Sequence, residues 1–156
     1  MSMPPGLKAG GRLLALRDIG VFIVGYERGL MRKIVPIAVA VVEHEGRYLV
    51  GRRAADQTLA GKLEFPGGKI EPGETPHDAA VRECREETSL DVRAIRTLLE
   101  LRHVYDHAAV QLHFVLCAPL DVHRGLTEPF GWTPRGDLNA AAFPAANRAL
   151  LRILDD

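Results

Sequence analysis

Cysteine is scarce in this chain. Cys84 and Cys117 are its two cysteines, in 156 residues, without CxxC spacing or neighbouring zinc-type histidines. That excludes a disulfide scaffold and a zinc ribbon, and the pair reads as reduced core residues suited to a reducing, cytoplasmic setting. Excess charge is also missing: 20 basic residues balance 20 acidic ones. No overall field exists to hold a polyanion, so stable nucleic-acid binding is disfavoured while a small anionic substrate is not. Long apolar runs are absent too. The most apolar N-terminal stretch, LLALRDIGVFIV, is interrupted by Arg17, Asp18 and Gly20. It has neither the length of a membrane span nor the outline of a signal peptide. What remains is ordinary for one globular domain, with 47% hydrophobic and 26% charged residues.

The informative part of the chain is residues 61 to 90, GKLEFPGGKIEPGETPHDAAVRECREETSL. A glycine turn leads into a helix with Thr75 as N-cap, Pro76 at its first position and Asp78 where a capping-box acid reaches back. The run AAVRECREE that follows contains good helix formers and no interior Gly or Pro. Helical spacing puts Glu83, Glu86 and Glu87 on one narrow stripe, where like charges repel. Arg82, four residues before Glu86, is one available counter-charge. A hard divalent cation is another, because Mg²⁺ favours a few carboxylates together with water and substrate phosphates. A solvated acidic face is the competing reading of three such glutamates taken alone.

The surroundings decide between them. Gly68, five residues, Glu74, seven residues, then Arg82-Glu83-Cys84-Arg85-Glu86-Glu87-Thr88-Ser89-Leu90 is similar to the signature box of the Nudix hydrolases. Ser89 departs from that pattern, which has Gly there. The position reads as a left-handed helix end, where a serine costs about 1 kcal/mol. The resemblance implies an α/β fold, the Nudix α/β/α sandwich with a mixed β-sheet between helices. It implies hydrolysis of a phosphoanhydride in a nucleotide, with Mg²⁺ or Mn²⁺ held by Glu83, Glu86 and Glu87, and with Gly67 and Glu128 as further ligands. Glu83 or Glu128 would deprotonate the attacking water, Arg82 would hold a helix carboxylate in place, and Glu74 would support the site from the start of the helix.

Around the box, residues 31–156 read as the hydrolase domain and residues 1–30 as an extension of uncertain structure: an added strand or helix, a partner contact or an overlong start. Ile34 to Val42 is β-branched and reads as a buried strand; residues 43–46 turn the chain, and Arg47 to Arg53 returns it. Arg53 is a candidate for phosphate or base contact, with a solvated strand end as the alternative. Phe65 is placed either in the core or as an aromatic wall of the site. Gly67 and Gly68 allow close backbone approach to a phosphate, beside Lys69 as a cation. Val92 to Tyr105 and Ala109 to Ala118 read as two strands, the first with a bend, joined by a turn at 106–108. His103, His107 and His113 are better explained as strand-surface residues than as metal ligands. Residues 119–131 form a loop carrying Glu128, Trp132 to Pro134 a short strand, and Pro144 to Leu154 a closing helix with Leu150, Leu151 and Leu154 on one face.

Two segments, RRAADQTLAGKLEFPGGKIEPGETP and FPAAN (Phe143 to Asn147), resemble the MutT-like branch of the family, the 8-oxo-dGTP diphosphatases. That resemblance implies release of a nucleoside monophosphate and pyrophosphate, with Tyr105 near the nucleotide and Asn147 reading the base. The chemistry is consistent: 8-oxoguanine carries a proton on N7, so an Asn oxygen accepts from N7–H while its amide donates to O6. A site built on such a bond rejects the analogue that lacks it by roughly 10⁴. A helix cap is the alternative role of Asn147. Other nucleotides (dCTP or CTP, a dinucleoside polyphosphate, ADP-ribose) and a non-catalytic nucleotide sensor are the rival readings. The expected partner is a small nucleotide and not a membrane, with the chain a monomer or homodimer.

Overall fold

The computed structural model describes residues 12–16, 21–25, 34–56, 60–105 and 108–156 of the chain. Of the options open for the N-terminal extension, strand is observed: β1 (Arg12–Leu16) pairs antiparallel with β2 (Val21–Gly25) as a two-stranded sheet of its own. The expected domain start at Met31 lies outside the described residues.

The main sheet is built on β3 (Ile34–His44), whose alternation serves both faces. Val35, Ile37 and Val41 face one core, and Ala38, Ala40 and Val42 the other. β3 turns into β4 (Arg47–Arg52) through Glu45 and Gly46, with φ of 49° and 73°. Two successive positive φ values make the tight hairpin turn that matches strand twist, so the turn is two residues and not the four expected. β5 (Leu63–Glu64) pairs with β4, and β6 (Gly67–Lys69) pairs antiparallel with β3. After α1 (Pro76–Thr88), β7 (Val92–Tyr105) and β8 (Ala108–Pro119) form a long hairpin. The expected bend in β7 is present as register shifts at Ala94/Arg96 and Thr97/Leu99. Of the turn expected at 106–108, residues 106 and 107 lie outside the described set. β9 (Gly131–Pro134) pairs with β4.

β8 lies parallel to β3, from Ile34 opposite Ala109 to Val42 opposite Cys117, while the other pairings are antiparallel. The sheet is therefore mixed, in the order β5-β4-β3-β8-β7. α1 covers one face, where Ala79, Ala80 and Cys84 meet Ala38, Ala40 and Val115. The small side chains on both sides let helix and sheet approach closely. The closing segment covers the other face. Residues 145–147 form a single 3₁₀ turn and α2 (Arg148–Asp155) follows, so the regular helix starts later than expected. Leu150, Leu151 and Leu154 pack on Ile37, Val110 and Phe114. Both cysteines are free and buried, and burial pushes the thiol of Cys84 up to about 11 and that of Cys117 to about 12. Among the described residues no helix is long and apolar enough to cross a membrane.

Candidate functional site

The site begins where β6 passes beneath α1. Gly67 and Gly68 sit opposite Val39 and Ala38 of the central strand. A Cβ on Gly67 would lie 2.6 Å from the carbonyl oxygen of Ala38, and one on Gly68 would lie 2.5 Å from the carboxyl carbon of Glu83. A side chain at Gly67 would meet backbone, whereas one at Gly68 would meet the end of the Glu83 side chain. The helix carboxylate rests directly on the strand backbone, a contact no side chain leaves room for.

α1 is fixed at both ends. The Thr75 hydroxyl accepts from the Asp78 N–H at 3.1 Å, so the expected N-cap is in place. At the other end Ser89 adopts φ 66°, left-handed, and its N–H donates to the Arg85 carbonyl at 3.0 Å.

Arg82 organises the acids. Its Nε and Nη2 donate to the two oxygens of Glu74 at 2.7 and 2.9 Å, a bidentate pair. Nη1 donates to Glu83 at 2.8 Å and to Glu86 at 3.2 Å, and Nη2 also donates to the Lys69 carbonyl at 3.0 Å. One guanidinium therefore fixes three carboxylates and the end of the glycine strand. Hydrogen bonding to Arg82 holds the Glu74 carboxyl below the usual range. Burial pushes Glu83 upward despite that same guanidinium. Glu87 is shifted furthest, to about 8: burial dominates, the charges of Glu83, Glu64 and Glu86 add to it, and the Gly67 N–H opposes it from 3.2 Å.

Negative charge is crowded here: Glu83 and Glu86 share one guanidinium, and both raise Glu87. The donor set of hard carboxylate oxygens beside a backbone glycine fits a divalent metal of the Mg²⁺ type. Among the described residues no three acids or histidines converge at ligating distance: Glu83 and Glu86 turn to Arg82, and Glu87 accepts from the Gly67 N–H.

The other expected site residues are placed unevenly. Arg53 is buried, 7% exposed, and its Nε lies 3.3 Å from a Glu64 oxygen; it is not a solvated strand end. Phe65 is also buried and stacks on Phe143, with centroids 5.0 Å apart, which is the packing role of the two considered. Lys69 is exposed. Glu128 is exposed at the tip of a turn closed by the Phe130 N–H on the Thr127 carbonyl. Asn147 is half-buried just before α2, and its side chain makes no capping hydrogen bond, so the alternative role considered for it is not the one observed. The side chain of Tyr105 and all of His107 lie outside the described residues. His113 pairs with Glu100 at 3.0 Å on the strand surface, as expected of it.

Two features went unread in the sequence. Glu64 lies close enough to raise Glu87 and is the partner of Arg53. Its place two residues before the proline of LEFPGG was the available signal. The second is a link from Lys62 Nζ to the Ala141 carbonyl at 2.7 Å, which ties the strand before the site to the segment that carries Asn147.

A family model described as the NUDIX domain matches residues 37–152. The chain belongs to the Nudix family. It is 38% identical over 127 residues to the 8-oxo-dGTP diphosphatase of Escherichia coli K12, across 76% of this chain and 95% of that protein. It is 31% identical over 134 residues to the 8-oxo-dGTP diphosphatase of Haemophilus influenzae, across 80% of this chain and 95% of the relative. Among solved structures, a MutT Nudix hydrolase of Burkholderia pseudomallei superposes with a TM-score of 0.63 at 25% identity, covering 77% of this chain and 97% of that one. The protein is a Nudix hydrolase, a pyrophosphohydrolase of nucleotides.

Proposed function

We propose that this Nudix hydrolase converts 8-oxo-dGTP to 8-oxo-dGMP and pyrophosphate in a reaction dependent on Mg²⁺, cleansing the nucleotide pool of an oxidised precursor. The observation that carries the reading is the Arg82 cluster, one cation fixing Glu74, Glu83 and Glu86 beside a Glu87 raised to about 8. A divalent cation accompanying the triphosphate would relieve the repulsion among Glu83, Glu86 and Glu87 and displace the proton of Glu87. Glu83, Glu86 and Glu87, with Gly67 and Glu128, would hold a divalent ion, which when bound would offset the charge of the triphosphate and acidify the attacking water.

The protein's own residues do the rest. Glu83 or Glu128 takes the proton of that water. Arg82 keeps Glu83 and Glu86 oriented toward the same side of α1, and its bidentate hold on Glu74 fixes the guanidinium itself. Gly68 admits the Glu83 carboxylate at the strand, and the exposed Lys69 offers a cation to the phosphates. Arg53 orders the wall behind Glu87 through Glu64, and Phe65 stiffens the segment of Asn147 through its stack on Phe143. Asn147 reads the base. The uncapped state of its amide supports this, since the side chain is left available to a ligand. The relatives' names point the same way.

The test is hydrolysis of 8-oxo-dGTP against dGTP, dCTP and ADP-ribose, each with Mg²⁺ and with EDTA. A Mg²⁺-dependent preference for 8-oxo-dGTP over dGTP is expected, selectively lost in Asn147→Ala. Equal loss on every substrate in that variant removes the base-reading role, and preference for another member of the panel replaces the substrate.

A further inference from the structure

The loop between β8 and β9, residues 120–130, runs past the C-terminal end of α1 and is attached there at four points. Leu120 N–H donates to the Asp91 carbonyl at 2.9 Å, and Arg124 pairs with the Asp91 carboxylate at 3.0 Å. Thr127 N–H donates to the Thr88 carbonyl at 2.9 Å, and the hydroxyls of Ser89 and Thr127 lie 2.6 Å apart. The last contact needs a side chain at position 89, where the Nudix box pattern has glycine. Ser89 stands at φ 66°, a conformation glycine adopts freely and serine at a steric cost.

We propose that Ser89 is a positioning residue for Glu128: through Thr127 it fixes the loop acid to the helix that carries Glu83, Glu86 and Glu87. Thr127 immediately precedes Glu128 in the chain. Among the described residues no hydrogen bond or ion pair holds the Glu128 carboxylate, so its place is set by the backbone on either side. On the far side Phe130 is buried against the α1 core, and its N–H closes the turn onto Thr127. On the near side the Thr127 N–H bond alone would act as a swivel. Adding the hydroxyl contact gives two attachments at one residue, which fix direction as well as distance. The inference rests on Glu128 belonging to the site, as proposed above.

Ser89→Gly separates positioning from stability, because it removes the hydroxyl and the strain together. Its melting temperature is expected to equal or exceed that of the parent. Hydrogen exchange in a peptide spanning 124–130, measured without metal or substrate, should be about fivefold faster, the scale of one lost hydrogen bond. On 8-oxo-dGTP with Mg²⁺ (on dGTP if the oxidised nucleotide is not turned over), kcat should fall by a similar factor with KM nearly unchanged. Thr127→Ser should keep both properties. Thr127→Val should lose them, and adding Ser89→Gly to it should cost nothing more. Unchanged exchange in Ser89→Gly overturns the tether. Faster exchange with full kcat overturns the positioning role, and Glu128→Gln then shows where the failure lies: if that variant is inactive the tether is irrelevant to catalysis, and if fully active Glu128 is not part of the site.

Discussion

Glu87 carries the sharpest conflict at the residue scale. It sits on a helix that needs it for spacing and in a place that penalises its charge, with the Gly67 N–H as its direct donor. A carboxyl whose folded value, about 8, exceeds its ordinary 4.5 binds a proton more tightly in the folded state. Its contribution to stability is therefore complete below about pH 4.5 and is lost as pH rises through about 8. In EDTA, denaturant titrations from pH 5 to 9 are expected to show that decline, and Glu87→Gln should flatten it. A parent protein equally stable at both ends would contradict this account of Glu87. Gly68 makes a second test. A methyl group there meets a side-chain end and not backbone, so Glu83 moves aside and the fold survives. Gly68→Ala is expected to lose about 10–100-fold in kcat, the scale of disturbed ligand support, with its circular dichroism spectrum and melting temperature close to the parent's.

Helix α1 was the most legible element because its signals are local. Thr75, Pro76 and the left-handed end at Ser89 are read from neighbours a few residues away, and each is found in place. α2 was legible in type but not in its start. Apolar spacing identifies the face of Leu150, Leu151 and Leu154, whereas the 3₁₀ turn at 145–147 depends on the anchor of Phe143 against Phe65, 78 residues earlier in the chain (143 − 65). No local pattern announces that contact. Leu150 is fully buried in the core between α2 and the sheet, with Ile37, Val110 and Phe114. Leu150→Ala should therefore cost about 2–5 kcal/mol in urea unfolding, while a substitution at the exposed Arg152 should stay within about 0.5 kcal/mol. The fate of Arg53 was illegible for a similar reason. Whether an arginine at a strand end meets water or a carboxylate depends on β5 pairing to β4, which delivers Glu64.

At the scale of the whole molecule, the proposed metal site would link cation, proton and fold in one equilibrium. A cation held by Glu87 would displace the proton that the carboxyl retains below about pH 8, so its affinity would rise with pH. Mg²⁺ at about 100 times its Kd stabilises a folded protein by about 2.7 kcal/mol, or roughly 5–10 °C at this size. That thermal shift is expected to be larger at pH 8 than at pH 6, and a shift independent of pH would separate the metal from Glu87. The same long reach explains what the sequence concealed globally. The box announces a family and hence a sandwich, but the parallel register of β3 on β8 joins residues 75 apart (109 − 34), with no turn between them to reveal it.

That register also dictates a timetable. Of the main sheet, a ribosome releases β3 first, yet β3 finds its glycine partner only when β6 emerges and its parallel neighbour only when β8 does. The leucines that cover its other face arrive later still, with α2. Until then an apolar strand waits with open edges, a natural client for a chaperone and a target for proteases. Stalled nascent chains ending near residue 142 are expected to be digested readily, and those extended through residue 156 with the tunnel cleared to be resistant.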